Sequence, residues 1–183
     1  MIEEGTKAPA FSVKDQTGRL VRLVDFKGRI IVLYFYPKDD TPGCTIEACS
    51  FRDNFRKLQN EGIVVLGVSA DGEQDHQKFI KKYDLPFSLL ADTEKKLIAS
   101  YEVWKEKSMY GKKYMGIERT TFIIDGKGII KKIFNKVTPQ GHVDEVLSVV
   151  RSLKLDGAIC CVVCSLCLWH SPSQAAPLRT LPQ

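Results

Sequence analysis

Two apolar runs, residues 30–36 (IIVLYFY) and 63–70 (IVVLGVSA), restrict this chain to a small set of folds. Both are continuous and rich in β-branched side chains, as strands are when a parallel sheet is covered by helices on both faces. Between them, Ala48, Phe51, Phe55 and Leu58 recur at intervals of three, four and three residues. That spacing fits one face of a helix over 45–60, and Glu61-Gly62 supplies its stop. Strand, helix and strand at this separation make a βαβ unit.

The remaining pattern extends the unit. A second helix is expected over 73–83, with Phe79, Ile80 and Tyr83 inward, then a break at Pro86 and a short extended stretch over 87–90. Leu97, Ile98 and Tyr101 form the buried side of a helix over 94–101. Segments 121–125 and 129–134 flank Gly126-Lys-Gly128, a hairpin signal, and Val146, Leu147, Val150 and Leu153 face inward on a closing helix over 143–153. A βαβ half followed by a hairpin and a helix is the outline of a thioredoxin-like α/β domain, a central mixed sheet flanked by helices. That outline carries no function by itself.

From about residue 157 the composition changes. Residues 157–183 hold one charged side chain, Arg179, and run from an apolar block containing Cys160, Cys161, Cys164 and Cys167 into a Pro/Ser/Ala/Gln stretch. A domain over 1–156 and a poorly ordered Cys-rich tail over 157–183 are expected. The overlapping C-x-x-C patterns of the tail could hold a soft metal, form disulfides, accept lipid or add redox thiols; a plain extension is the simplest reading.

Charge and hydropathy narrow the function. A net charge of +5 with scattered lysines gives no nucleic-acid footprint. No window reaches the roughly 20 apolar residues that span a bilayer, and the N-terminus lacks the basic-then-apolar order of a signal peptide. A cytoplasmic location is expected, where cysteines are more often catalytic or metal-binding than structural crosslinks.

The first apolar run empties into PKDDTPGCTIEAC, residues 37–49. Pro37 and Pro42 fix the backbone, Gly43 permits close approach, and Thr41 places a hydroxyl three residues before Cys44. If Cys44 stands in the first turn of the helix, the free N–H groups and the helix dipole there favour an anion. Five residues on an ideal helix separate Cα atoms by roughly 8–9 Å, from its rise and radius. A disulfide wants less than about 7 Å. An intact helix thus keeps Cys44 and Cys49 apart, a poor arrangement for a structural crosslink and a workable one for a redox couple with an opening step. A metal pair lacks further ligands at any recognisable spacing.

Pro37-Lys-Asp-Asp-Thr41-Pro-Gly-Cys44 resembles the peroxiredoxin pattern P-x-x-x-T-x-x-C. The extension Thr45-Ile-Glu47-Ala-Cys49-Ser-Phe-Arg52-Asp53 is similar to the peroxiredoxin Q, or bacterioferritin comigratory protein, branch. Gly5-Thr-Lys-Ala-Pro9-Ala-Phe11, Val103-Trp104-Lys105-Glu-Lys107 and Gly116-Ile-Glu-Arg119-Thr-Thr-Phe122-Ile-Ile-Asp125 extend the resemblance over about residues 3–155. It implies a thiol peroxidase acting on hydrogen peroxide and organic hydroperoxides without haem, metal or flavin. Cys44 would be the peroxidatic thiolate, Thr41 its hydrogen-bonding partner, Arg119 the stabilising cation and Pro37 a shield against water. Glu47 would orient the arginine or shape the loop. Cys49 would resolve the Cys44 sulfenic acid as an intramolecular disulfide, which thioredoxin or a similar dithiol protein reduces. The family includes monomers and dimers.

Taken without the resemblance, Arg119 opens a strand and suits a surface ion pair, and Glu47 suits a solvated first turn. His76, beside Glu73, Gln74 and Asp75, reads as part of a solvated face, and His142 as a helix opener. Trp104, Tyr110 and Tyr114, in a Lys/Gly-rich loop, read as packing beside the active-site loop. Two other functions compete with the peroxidase: a thioredoxin-type disulfide oxidoreductase, against which the missing C-x-x-C at Cys44 speaks, and a non-catalytic redox sensor.

Overall fold

Leu33 shows why the first apolar run is a strand: its neighbours on both sides are strands, and its two faces are both covered. In the computed structural model, which describes residues 2–109 and 112–164, the chain opens with a small antiparallel pair, β1 (Ser12–Lys14) and β2 (Leu20–Arg22), and a short 3-10 helix, Leu23–Phe26. Then come β3 (Ile30–Phe35), α1 (Pro42–Asp53), α2 (Phe55–Asn60) and β4 (Ile63–Ser69). They are followed by α3 (Glu73–Tyr83), β5 (Ser88–Ala91) and α4 (Lys96–Ser100). An antiparallel ribbon of β6 (Trp104–Met109) and β7 (Lys112–Ile117) leads to β8 (Thr120–Ile124), β9 (Ile130–Phe134) and α5 (His142–Cys164).

The central sheet has the order β5-β4-β3-β8-β9. β3 lies parallel to β4 and antiparallel to β8, and the expected hairpin is the β8–β9 pair. The sheet is therefore mixed, as the thioredoxin-like outline requires. Its alternate faces carry different cores. Ile31, Leu33 and Phe35 join Leu66, Val68, Ile98, Tyr101, Phe122 and Ile124 on one side. On the other, Tyr34 stacks on Phe51 of α1 at 4.9 Å between ring centroids, and Tyr36 stacks on Tyr34 at 5.4 Å.

One glycine makes that second face possible. Gly67 is the cross-strand partner of Tyr34, and a Cβ there would sit 2.7 Å from the tyrosine oxygen and 2.6 Å from Leu89. Without a side chain at 67, the ring lies across β4 and supports the underside of α1.

The single helix expected over 45–60 is two. Thr41 is the N-cap residue in an extended conformation and Pro42 takes the first helical position, so α1 starts before Thr45. Asn54 then ends it: its N–H and its side-chain Nδ2 both donate to the Ser50 carbonyl, at 3.3 and 3.1 Å. A short polar side chain has competed for the backbone and broken the helix. The ribbon β6–β7 occupies what reads in sequence as a loop. Trp104 packs against the core with Lys95 Nζ 4.3 Å above its ring, while Tyr114 is exposed on β7; Tyr110 lies outside the described residues.

α5 begins at His142, as expected, and continues past residue 156 to Cys164. The backbone at Cys160, Cys161 and Cys164 is therefore helical, where a poorly ordered tail is expected from residue 157; the chemistry expected of the tail cysteines' side chains, and everything beyond Cys164, lies outside the described residues. Among those residues, no helix is long and apolar enough to cross a membrane.

Candidate active site

α1 places its side chains by angle. Cys44, Glu47, Ala48 and Phe51 repeat at three and four residues, and all four are buried on one face. Cys49, five residues from Cys44, points about 140° around the axis and is only half-buried. Both thiols are free, and α1 is helical from one to the other.

Arg119 comes from the short link between β7 and β8 and reaches the same face of α1. Its Nη2 donates to Cys44 Sγ at 3.3 Å, and its Nη1 donates to Glu47 Oε2. Cys44 and Glu47 are three residues apart, one helical turn, so a single planar guanidinium bridges both. Gly43 makes room for it, since a Cβ there would lie 3.3 Å from Arg119 Nη2. The close approach permitted by Gly43 is thus to the arginine. Cys44 retains 2% exposure, whereas Pro37 is exposed on the turn before it. Thr41 Oγ1 donates to the Lys38 carbonyl at 3.1 Å, which leaves the oxygen free to accept a bond.

Glu47 is not the solvated acid that its place in the helix suggests: it is fully buried. Its second oxygen, Oε1, makes no hydrogen bond among the described residues, and neither does the buried Tyr34 hydroxyl. Burial pushes the Glu47 carboxyl up from its ordinary 4.5 to about 7, against the opposing pull of Arg119. A raised folded pKa means that folding favours the protonated form. The corresponding stability is complete below pH 4.5 and is lost as pH rises through about 7. The shift corresponds to roughly 3 kcal/mol. Urea unfolding between pH 5 and 8 should therefore show a decline that Glu47→Gln flattens by about 2–3 kcal/mol. Parallel curves for the two proteins would refute the assignment.

His76 and His142 are also buried. His76 is 0% exposed, so the solvated-face expectation fails. Its Nδ1 lies 2.7 Å from Asp39 Oδ2 and its Nε2 3.2 Å from the Leu90 carbonyl. The signal was in the periodicity, because His76 falls on the inward side of α3 together with Phe79 and Tyr83. His142 pairs with Thr121 Oγ1 at 2.9 Å, and burial lowers its pKa.

The AhpC/TSA family model matches residues 5–133. The chain belongs to the AhpC/TSA family. Its similarity to a putative peroxiredoxin bcp of Coxiella burnetii is 51% identity over 146 residues, covering 80% of this chain and 97% of the relative. To peroxiredoxin Bcp of Bacillus subtilis it is 49% over 152 residues, covering 83% and 97%. The solved bacterioferritin comigratory protein of Xanthomonas campestris, described in terms of alkyl peroxide reduction, superposes with a TM-score of 0.74 at 36% identity. That match covers 78% of this chain and 90% of that one. This AhpC/TSA protein is thus a peroxiredoxin of the Bcp, or peroxiredoxin Q, branch, and its activity is that of a thiol peroxidase. Peroxide is its substrate class and a thiol compound its reductant. The thioredoxin-like outline is shared with the solved relatives.

Proposed function

We propose that Cys44 is the sulfur through which this thiol peroxidase reduces peroxide. The observation that carries the reading is the Arg119 bridge between Cys44 Sγ and Glu47. The cation complements a thiolate, and the same guanidinium faces the charge that develops on the leaving oxygen. The Cys44 thiolate attacks one oxygen of ROOH: an S–O bond forms, the O–O bond breaks, and RO⁻ takes a proton and leaves as ROH. Thr41 Oγ1 accepts from the hydroperoxide O–H, Glu47 orients the arginine, and Pro37 limits water at the mouth. Hydrogen peroxide and organic hydroperoxides both suit this chemistry, which requires no haem, metal or flavin.

Cys49 then resolves the intermediate. Its sulfur attacks the Cys44 sulfenic acid, water departs, and the disulfide is reduced by thioredoxin or a similar dithiol protein. Because the two thiols sit on different sides of α1, the helix must open before they meet. We place the enzyme in the cytoplasm as a monomer or weak homodimer.

Peptide mapping after one equivalent of peroxide tests the second half of the cycle. A Cys44–Cys49 disulfide is expected, and Cys49→Ser should lower thioredoxin-supported turnover by more than about tenfold while the first equivalent is still consumed. A stable Cys44 sulfenic acid in the wild type, or a bridge to a tail cysteine, would contradict it.

A further inference from the structure

The turn between β3 and α1 exposes Pro37, Lys38 and Asp40, yet buries Asp39. Both oxygens of that carboxylate are engaged. Tyr36 donates its hydroxyl to Oδ1 at 2.7 Å, and His76 Nδ1 meets Oδ2 at 2.7 Å. The Asp39 N–H donates to Asp71 Oδ2 at 2.8 Å, the same oxygen that accepts from the Ser69 hydroxyl at 2.8 Å. His76 Nε2 faces the Leu90 carbonyl, which has no proton to give, so Nε2 carries one. A further proton lies between Nδ1 and the carboxylate. One side chain of a surface turn is thereby fastened to the end of β3, to α3 and, through the imidazole, to β5.

We propose that Asp39 is a positioning residue for peroxide reduction: clamped by His76 and Tyr36, it fixes the 37–41 turn that sets Thr41 and the first turn of α1 around Cys44. The inference rests on the Cys44 reading above. A buried polar pair admits far fewer geometries than apolar packing of similar volume, because each partner must meet the other's lone pair or proton. Asp39 stands two residues from Pro37 and two from Thr41, so its placement is transmitted to both through a short run of backbone. It lies outside α1, and the clamp can persist when the helix opens.

The test measures the second-order rate with hydrogen peroxide by stopped flow, per folded molecule, in Asp39→Asn, Asp39→Ala and Tyr36→Phe. An asparagine can donate Nδ2 to Nδ1 of a neutral, Nε2-protonated His76 and accept from Tyr36, so it preserves the clamp. Its rate should stay within about threefold of wild type, whereas Asp39→Ala should fall roughly 10- to 100-fold, the scale of a misplaced reacting group. Tyr36→Phe removes one bond to Asp39 with little change in shape, and should lose about three- to tenfold even if Asp39→Ala does not fold. In wild type, proton NMR should show a low-field N–H resonance from His76 Nδ1 that Asp39→Asn abolishes. The proposal is overturned if Tyr36→Phe reacts at the wild-type rate, if Asp39→Asn is as slow as Asp39→Ala, or if the resonance is missing from wild type. Peroxide reactivity that survives Cys44→Ser would instead remove the underlying assignment, a separable result.

Discussion

Cys44→Ser should be folded and inert towards peroxide. A serine at this position keeps the bond geometry towards Arg119 and loses the nucleophile, because a hydroxyl is scarcely ionised at neutral pH. Stopped-flow peroxide consumption should fall by on the order of 10⁴-fold or more. Stability should change by only about 1 kcal/mol, since one small buried atom replaces another. Far-ultraviolet circular dichroism and urea unfolding separate this outcome from misfolding. Peroxide reactivity that persists in the variant would exclude Cys44 as the reacting thiol.

Arg119→Met should produce the second largest effect, and in two separable readouts. The guanidinium bridges Cys44 Sγ and Glu47, so its loss removes the fixed positive charge beside the sulfur proposed to react. Removing one such donor costs about 10²–10³ in rate in comparable sites. The second readout is stability. Glu47 is left buried with no cation, and breaking one side of a buried pair costs roughly 3–5 kcal/mol. Without Arg119 pulling it down, the Glu47 pKa rises beyond its present value of about 7. The variant should accordingly be least stable at pH 8 and recover much of the loss at pH 5, where the carboxyl is protonated. Arg119→Lys keeps the charge without the two-pronged fork, and should fall between. A rate within threefold of wild type in Arg119→Met would contradict the electrostatic role.

What could be read in sequence follows the range of each signal. The runs at 30–36 and 63–70 encode their own burial, and both became adjacent parallel strands. Phe79 and Leu97 likewise reveal their helices through spacing. β1 and β2 have only three residues each, and β6 and β7 are mostly polar, so neither pair leaves an apolar alternation to detect. The site divides in the same way. Thr41, Gly43 and Cys44 fall within four residues at the start of α1 and are legible together, and Cys49 lies on the same helix. Arg119 stands 75 residues from Cys44, and only the resemblance pointed to it; residue chemistry alone suggested a surface ion pair. His76 was legible and misread: its acidic neighbours suggested solvent, while its phase on α3 matched that of Phe79.

The contacts of α3 also bear on how the enzyme resets. Asp40, just before α1, accepts from Lys82 Nζ and the Tyr83 hydroxyl, and Arg52, near the end of α1, donates to the Tyr83 carbonyl at 2.8 Å. α1 is thus a span held at both shoulders by the last turn of its neighbour. While those contacts hold, opening it releases only a tethered loop, and re-forming it requires no long search through chain conformations. Loops of about ten residues close in roughly 10–100 ns, and helices relax within about a microsecond. The pace of each cycle would then be set by sulfur chemistry and by the encounter with the reductant, with the chain ready again before either arrives.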